Sequence, residues 1–187
     1  MERRTYQTGV FTMDMTLTLC TVDDLDELRK LSIQTYYETF AAVNTAKNME
    51  EYLNRAFDRE KLRRELENIH SKFFILRCHE KAAAYLKVNE APSQSDINDP
   101  ESMEIERIYV SGEFQGQGLG RYLMEQAIAM AVAQKKRYVW LGVWEHNEKA
   151  LQFYKANGFY KISTHHFVMG DDVQTDDLMR KDLDQAH

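Results

Sequence analysis

The alternation of apolar and polar residues predicts a chain built largely from short strands. The segment Met13–Cys20 alternates apolar and polar positions, as a strand with one buried face does. Six later segments are rich in apolar, β-branched and aromatic residues and are bounded by polar turns, which is typical of strands. These predicted strands are Phe73–Leu76, Ala82–Val88, Ser102–Val110, Tyr138–Trp144, Phe159–Met169 and Thr175–Lys181. The first two and the last two of the six are each predicted to form a hairpin.

Apolar residues at helical spacing, preceded by capping residues, predict the helices. Thr21 and Asp24 have the spacing of a capping box at the first helix. Asn48 and Asp58 are predicted N-caps of two short helices that follow it. Asn157 and Gly158 are a C-cap pair after the last helix. Five helices are predicted. The first follows Thr21 and ends near Thr39, and the fourth carries an apolar stripe from Leu119 to Ala131. The other three are Glu51–Phe57, Arg59–Asn68 and Asn147–Ala156.

The order of these elements predicts a mixed sheet. The strand Tyr138–Trp144 is apolar nearly throughout, so we expect it to be buried on both faces and parallel to Ser102–Val110. A strand, a helix and a parallel strand form one right-handed crossover. At 187 residues, 43% of them hydrophobic, the chain is long enough for one domain with a sizeable core. We therefore predict a single α/β domain over residues 13–187, preceded by an extension, 1–12, that need not be native.

Composition and charge exclude several classes of function. The 24 basic and 30 acidic residues give a net charge of −6, which argues against a general nucleic-acid surface and suits a cationic substrate. Cys20 and Cys78 belong to no C-x-x-C pair, and the six histidines lack the spacing of a zinc site, so no metal is expected. The sequence contains neither a long apolar run nor a signal-peptide pattern. A cytoplasmic protein that binds no membrane and no nucleic acid is expected.

Three closely spaced glycines mark the place where the strand Ser102–Val110 leads into a helix. Backbone N–H groups at a helix start are unpaired and attract anions, and glycines allow a phosphate to approach the main chain. Neither the dinucleotide fingerprint nor the nucleotide-triphosphate loop fits, because Arg121 occupies the third glycine position of the former and no Gly-Lys-Ser/Thr follows. The residues spell Q-x-x-G-x-G from Gln115 through Gly118 to Gly120.

A second motif follows the next strand. The segment Asn147–Phe159 has the form N-x-x-A-x-x-F-Y-x-x-x-G-F. With both motifs in this order, the chain resembles the GCN5-related N-acetyltransferase (GNAT) family from about residue 15 to its end. The resemblance implies a central, mixed but mainly antiparallel twisted sheet of about seven strands, with helices on both faces and strands splayed at the acetyl-CoA site. Three shorter strings, Leu141–Glu145, Glu104–Tyr109 and Met169–Asp171, resemble the bacterial spermidine/spermine acetyltransferases of the Pai-operon type.

The resemblance also implies how acetyl-CoA, the co-substrate, is bound. The diphosphate is expected on the glycine loop, pantetheine along the end of the preceding strand, and a further contact at the start of the last helix. A main-chain N–H of that strand is expected to stabilise the carbonyl oxyanion. The implied binding residues are Ile108, Tyr109, Val110, Gln115, Gly116, Gln117, Gly118, Leu119, Gly120, Arg121, Asn147 and Tyr154.

Acetyl transfer to an amine needs a base and an acid. An alkyl amine has a pKa near ~10 and attacks only when neutral, so a group must take its proton. By resemblance, Glu106 is the expected general base. Glu104 competes, because the two-residue period of a strand puts it on the same face, and a water chain is the third option. Tyr154 resembles the family's general acid, which protonates the departing thiolate.

The acceptor is less clear from the sequence. The resemblance implies that two acidic regions border the acceptor cleft, where they would attract a polycation. For the aspartates, a solvated acidic turn is the alternative. The residues are Glu38, Glu50, Glu51, Asp171, Asp172, Asp176 and Asp177. Transfer to a primary amine of spermidine, spermine or a similar small polycation, by direct attack in a ternary complex, is the first hypothesis. A peptide or protein amine and a catalytically silent acyl-CoA-binding module are the alternatives. Relatives are often dimers, so a homodimer is a further expectation.

Overall fold

Eight strands form one sheet in the part of the chain that the computed structural model describes, residues 2–8 and 11–184. The sheet order is β1-β2-β3-β4-β5-β6-β8-β7. Only β5 and β6 are parallel, and every other neighbouring pair is antiparallel. The strands are β1 Glu2–Thr8, β2 Phe11–Leu19, β3 Ser71–Cys78, β4 Lys81–Asn89, β5 Ser102–Val110, β6 Tyr138–Trp144, β7 Tyr160–Met169 and β8 Asp172–Asp182.

Helices cover both faces of the sheet. The first three pack with Phe73, Ile75 and Tyr85 into a core on one face. The last two pack on the other face, where the predicted stripe from Leu119 to Ala131 is buried. The helices are α1 Leu25–Phe40, α2 Ala46–Ala56, α3 Arg59–Glu67, α4 Leu119–Ala133 and α5 Glu148–Ala156. The predicted mixed, mainly antiparallel sheet with two helical layers is confirmed.

Most predicted helix boundaries are confirmed, but one cap was wrong. Thr21 and Asp24 form the predicted capping box, and the Asp58 side chain caps α3. The cap of α2 is Thr45, whose hydroxyl accepts from the Asn48 main-chain N–H at 3.1 Å. Asn48 therefore lies inside the helix, where its side chain is free to make a tertiary contact. The helix begins five residues earlier than predicted.

The N-terminal segment adds a strand to the sheet. The backbone of residues 2–8 pairs antiparallel with β2, which begins at Phe11 rather than at Met13. This pairing accounts for eight strands where about seven were expected. That residues 1–12 form an extension of a domain at 13–187 stays a prediction, since backbone pairing does not test which residues are native.

The sheet opens between its two parallel strands. Beyond Glu104 and Trp140, β5 remains paired with β4 and β6 remains paired with β8, so β5 and β6 diverge. The predicted parallel crossover through α4 is therefore present but short. The pairs that join β5 and β6 are Ser102–Tyr138, Met103–Val139 and Glu104–Trp140.

The two thiols, Cys20 and Cys78, are free and buried. Among the residues that the structure describes, none of the helices combines the length and the apolar character that crossing a bilayer requires.

Candidate active site

A cavity of about 1120 Å³ occupies the opening between β5 and β6. Its walls come from both faces of the sheet. One half is formed by the end of β5, the glycine loop and α5, and we call it the cofactor half. The other half is formed by α1, α2 and the β7–β8 hairpin, and we call it the acceptor half. The cavity thus passes through the sheet at the point where the strands part.

The glycine loop exposes main-chain groups to the cofactor half. Gly116 and Gly118 have φ of +76° and +83°, in the left-handed region that glycine adopts without strain. Gly118 is the N-cap of α4, which therefore receives no side-chain cap, and no acidic residue lies in its first turn. The helices α2, α3 and α5, in contrast, are capped by side chains. The amides at the start of α4 are thus available to an anion.

Two cations lie beside this loop. Lys149 Nζ donates to Gln115 Oε1 at 2.9 Å, and Arg121 Nε donates to Glu125 at 3.0 Å on the exposed side of α4. Both side chains line the cavity. The loop, the helix start and these cations together fit a diphosphate.

The structure places most of the predicted cofactor residues along the cavity. Asn147 lines it while its Oδ1 caps α5 by accepting from the Ala150 N–H at 3.2 Å. Gln117 does not line it, and its side chain donates to the Glu113 carbonyl at 3.2 Å. A contact from Gln117 stays a prediction for its main chain. The other lining residues from that prediction are Ile108, Tyr109, Val110, Gln115, Gly116, Gly118, Leu119, Gly120, Arg121 and Tyr154.

Tyr154 lies on the buried side of α5. Its ring packs against Phe153 and Phe159, with centroid distances of 5.4 and 6.0 Å, and the side chain is 8% exposed. Burial raises the pKa of its hydroxyl well above the usual range. Tyr154 therefore keeps its proton at neutral pH and remains a hydrogen-bond donor in the cavity.

A β-bulge in β5 sets the position of Glu106. Arg107 pairs with Lys87, and the next pair along β4 is Val88 with Ile105, so Glu106 is one extra residue. Two consecutive residues of β5 therefore oppose one residue of β4, which is the arrangement of a bulge. No residue pattern indicates this bulge, because strand alternation was the only local guide to which face each side chain takes.

The bulge brings Glu106 between two cations. Its carboxylate lies 2.5 Å from Lys87 Nζ and 3.2 Å from Arg107 Nη2, and it accepts from the Asn89 amide at 2.6 Å. Although burial alone raises the pKa of this carboxyl, Arg107 and Lys87 lower it to about 2. Glu106 lines the cavity as a fully paired carboxylate. Such a carboxylate is ionised at neutral pH but is a very weak base.

Glu104 shares that face but not the cavity. The Asn89 amide donates to Glu104 at 2.8 Å as well as to Glu106, so the predicted common face is confirmed. Glu104 is 2% exposed and also accepts from the Ser95 N–H at 2.9 Å and from the Ser95 hydroxyl. Burial raises the pKa of Glu104, as does the nearby Glu106. It is held away from the cavity by these bonds.

The acceptor half has aromatic walls and contains the carboxylate of Asp176. Asp176 lies on β8, opposite Trp144 on one side and His165 on the other. Its carboxylate makes neither a hydrogen bond nor an ion pair with the residues that the structure describes. The aromatic side chains that line this half are Tyr36, Phe40, Tyr52, Phe57, Tyr109, Trp144 and Phe167.

The acidic residues proposed from the sequence separate into two groups. Glu38 and Asp176 line the cavity, and Glu38 accepts from the Gly112 N–H at 2.8 Å. The remaining five lie outside the lining: Glu50, Glu51, Asp171, Asp172 and Asp177. The sequence could not distinguish Asp176 from its acidic neighbours, because their difference arises from which strand face packs against α1 and α2.

Hydrogen bonds connect the β7–β8 hairpin to the α1–α2 region beside the acceptor half. They bring the tip of the hairpin against the helices and reduce the opening of the cavity on that side. We call this set of contacts the hairpin bridge. It consists of Asn48 to Asp171 at 3.0 Å, Gln174 to Asn44 at 3.0 Å and Arg55 to the Val168 carbonyl at 3.3 Å.

Comparison with known proteins identifies the family. The profile of the Acetyltransferase (GNAT) family matches residues 26–159. An uncharacterised N-acetyltransferase from the pepI 3′ region of Lactobacillus delbrueckii subsp. lactis is 40% identical over 160 residues, which cover 86% of this chain and 92% of that protein. An uncharacterised N-acetyltransferase of Methanocaldococcus jannaschii is 33% identical over 87 residues, 46% of this chain and 38% of that protein.

Solved structures share the fold at low sequence identity. The PaiA N-acetyltransferase of Thermoplasma acidophilum, in complex with coenzyme A, superimposes with a TM-score of 0.74 at 18% identity, over 90% of this chain and 99% of that one. YncA from Salmonella typhimurium, with acetyl-CoA, gives a TM-score of 0.63 at 18% identity, over 92% and 96% of the two chains. The family profile spans most of the chain and one relative is 40% identical across most of its length. This chain therefore belongs to the GNAT family of N-acetyltransferases.

Proposed function

We propose that this enzyme transfers the acetyl group of acetyl-CoA to a primary amine of a small polycation such as spermidine or spermine, by direct attack in a ternary complex. The observation that carries the proposal is the single cavity through the opened sheet. One half of it offers an anion site at the glycine loop, and the other half offers aromatic walls and the Asp176 carboxylate, which has no hydrogen-bond or ion-pair partner among the described residues. Two substrates that enter from opposite faces would meet between β5 and β6.

The cofactor half fits acetyl-CoA. The diphosphate would lie on the amides from Gln115 to Arg121, with Lys149 close by. Pantetheine would extend along the edge of β5 that β6 leaves unpaired, and there the main-chain groups of Ile108 to Val110 would bond it. Coenzyme A in the PaiA structure and acetyl-CoA in the YncA structure, which share this fold, support the assignment.

The residues at the meeting point have separate roles in the proposed reaction. The acceptor nitrogen forms a bond to the thioester carbon while the carbon–sulfur bond breaks. The Ile108 N–H would stabilise the oxyanion, and Tyr154 would donate its proton to the departing sulfur. Glu106, the general base expected from the sequence, is a poor candidate for that role because two cations and the Asn89 amide hold its carboxylate. We assign it to positioning Lys87 and Arg107 beside the acceptor half.

The shape of the acceptor half favours a small amine over a peptide. A peptide backbone needs an open groove, whereas the hairpin bridge brings β7–β8 against α1 and α2 beside this half. Carboxylate and aromatic faces both attract an ammonium group. The strings that resemble Pai-operon-type enzymes point to polyamines within this class. Peptide transfer and a silent acyl-CoA-binding module become outcomes of the test.

The test is thiol release from acetyl-CoA with spermine, spermidine, a diamine or a lysine peptide as acceptor. We expect turnover with the polyamines. Tyr154→Phe should lower kcat by about 10²-fold or more, because the leaving sulfur loses its proton donor, and should change KM for acetyl-CoA little. Tyr160→Phe is the matched control: the Tyr160 hydroxyl bonds Asp182 at 2.6 Å outside the cavity, and its loss should leave kcat unchanged.

Other outcomes would contradict parts of the proposal. Turnover with the lysine peptide alone would support an N-acetyltransferase but contradict the assignment of a polyamine as its acceptor. Tight binding of acetyl-CoA without thiol release for any acceptor would favour the silent module. An unchanged kcat in Tyr154→Phe would remove Tyr154 from the reaction.

A further inference from the structure

We infer that Asp176 binds the ammonium end of the acceptor and receives its proton. This assignment gives the enzyme a general base on β8, on the opposite side of the sheet opening from the β5 carboxylates. It rests on the proposed function, because it names the group that recognises the amine in the same cavity.

The first support is pairing. Three carboxylates line the cavity: Glu38, Glu106 and Asp176. Glu38 accepts from the Gly112 N–H and from the Gln34 amide, at 2.8 and 2.9 Å. Glu106 is ion-paired with Lys87 and Arg107 and accepts from the Asn89 amide. The Asp176 carboxylate alone has no such partner among the residues that the structure describes, so an incoming ammonium would be its first.

The second support is position. Had the parallel register of β5 and β6 continued beyond Glu104 and Trp140, Gly142 would lie opposite Glu106. A Cβ atom at Gly142 would lie 3.5 Å from Asp176 Oδ2, so the Asp176 carboxylate reaches over this glycine. Gly142 thereby leaves room at the opening between the strands, where the acetyl group would be presented. Asp176 is thus placed at the junction of the two halves.

The third support is the walls around the carboxylate. His165 faces it from β7 and Asp177 follows it on β8, while Tyr36 and Tyr52 approach from α1 and α2. Trp144, its neighbour on β6, lines the cavity and carries no charge. An alkylammonium ion in this space would meet one carboxylate and several aromatic faces, which is a favourable environment for a cation.

The surroundings also make Asp176 a better base than Glu106. Burial raises the pKa of Asp176 to about 6, with a smaller opposing effect from His165 and a raising effect from Asp177. This carboxyl is ionised at neutral pH and yet holds a proton far better than Glu106, whose pKa is about 2. A base is most effective when its pKa lies near the working pH.

The protons balance in this scheme. An ammonium acceptor carries three protons on nitrogen, and the amide product carries one. Asp176 takes the first proton, and the acceptor becomes a neutral amine. Asp176 later releases this proton to solvent. The second leaves nitrogen as the carbon–sulfur bond breaks, and the sulfur receives one proton from Tyr154. Tyr154 is restored by the proton that nitrogen loses.

The experiment compares Asp176→Asn with wild type in two measurements. The first is the pH profile of kcat/KM for spermidine between pH 5 and 9. Wild type should rise with pH through a pKa near 6, since the base must be deprotonated. In Asp176→Asn, this rise of kcat/KM with pH (the acid limb of the profile) should disappear. Its kcat/KM at pH 7 should be lower by at least about 10²-fold. The second measurement is calorimetric binding of spermidine, which should weaken about tenfold or more as the ion pair is lost.

Two variants serve as controls. Asp177→Asn makes the same change one residue away, where the carboxylate is paired with Lys161 at 2.5 Å outside the cavity lining. It should retain the acid limb and most of kcat/KM, with the pKa of that limb somewhat lower because Asp177 raises the pKa of Asp176. Asp176→Glu should keep a titrating limb with reduced kcat, because it preserves a carboxylate in a shifted position. A merely structural role for Asp176 would not give this pattern.

The outcomes separate the inference from the proposed function. If Asp176→Asn keeps the acid limb and loses less than threefold in kcat/KM, the assignment is wrong, and Glu106 or water must be the base. If wild type acetylates no amine, the proposed function fails. The spermidine affinities then still decide whether Asp176 is a cation site, since equal binding by wild type and Asp176→Asn would overturn it.

Discussion

The two halves of the cavity are built in opposite ways. The cofactor half comes from two contiguous segments, Gln115–Arg121 and Asn147–Phe159, together with the end of β5. The acceptor half is assembled from side chains on two distant parts of the chain. The helices α1 and α2 lie more than a hundred residues before the strands β7 and β8. Recognition by main-chain amides requires a local backbone shape, whereas recognition by side chains requires only that they meet in the fold. The cofactor half can therefore be recognised from a sequence motif, whereas the acceptor half cannot.

The strongest test of the difference between the two halves is a substitution that blocks the cofactor half alone. Gly118→Glu places a charged side chain at a φ of +83° beside the expected diphosphate. Because strain and like-charge repulsion act together, we expect acetyl-CoA affinity to fall at least about 10³-fold. Spermidine binding should change little. Calorimetry with each ligand measures both.

Gln117→Glu separates charge from backbone shape. It adds the same charge at a side chain outside the cavity lining, so we expect a smaller loss of acetyl-CoA affinity, about tenfold. Unchanged acetyl-CoA affinity in Gly118→Glu would remove the glycine loop from the site.

The next largest effect is expected from Glu106, which lines the cavity from β5. Glu106→Gln leaves Lys87 and Arg107 without their closest carboxylate, although Glu65 Oε2 remains 3.1 Å from Lys87 Nζ. We expect a loss of about 3 kcal/mol in the free energy of unfolding at pH 7. Urea denaturation measures it. Glu101→Gln, which breaks an exposed pair with Arg137, should cost less than about 1 kcal/mol.

The pH dependence of this effect has a definite sign. The folded-state pKa of Glu106, about 2, lies below its ordinary value of 4.5, so the group stabilises the fold at pH above 4.5. That contribution is lost as the pH falls from 4.5 towards 2. The difference between wild type and Glu106→Gln should therefore shrink over this range. A constant difference would show that Glu106 does not titrate as its contacts imply.

The smallest expected effect concerns the hairpin bridge. At Gly170, with φ of +66°, a Cβ atom would lie 2.2 Å from Asn48 Oδ1. Gly170→Ala should displace the Asn48 side chain, loosen the acceptor half and raise KM for spermidine about threefold to tenfold, while KM for acetyl-CoA stays constant. Steady-state kinetics measures both constants.

Asn48→Asp provides a second route to the same contact. It replaces the hydrogen bond to Asp171 by repulsion between two carboxylates, so KM for spermidine should rise similarly. An effect on acetyl-CoA equal to that on spermidine would indicate general destabilisation, and would contradict a bridge that serves only the acceptor half.

The sequence predicted the fold well where local patterns decide it. Alternation located β2, and runs of apolar, β-branched and aromatic residues located six further strands. The glycines located the start of α4 because only glycine readily adopts that backbone. The cap of α2 was missed because Thr45 and Asn48 are both good N-caps, and tertiary packing gave Asn48 another partner in Asp171. That Asp176 lacks a partner among the described residues could not be predicted either, since it depends on strand pairing and on helices from the other end of the chain.

The bulge at Glu106 has a consequence for how β5 tolerates change in length. Met103 and Ile105 before it, and Ile108 and Val110 after it, all contribute to the same core although an even spacing does not connect the two pairs. Deletion of Glu106 would separate Ile105 and Ile108 by two positions, so the strand would return to strict alternation with the residues beyond it on their present faces. Ile108 would stay in the core and Tyr109 in the aromatic wall, while Lys87 and Arg107 would lose the Glu106 carboxylate. The extra residue in β5 is therefore a constraint of the cavity and not of the core.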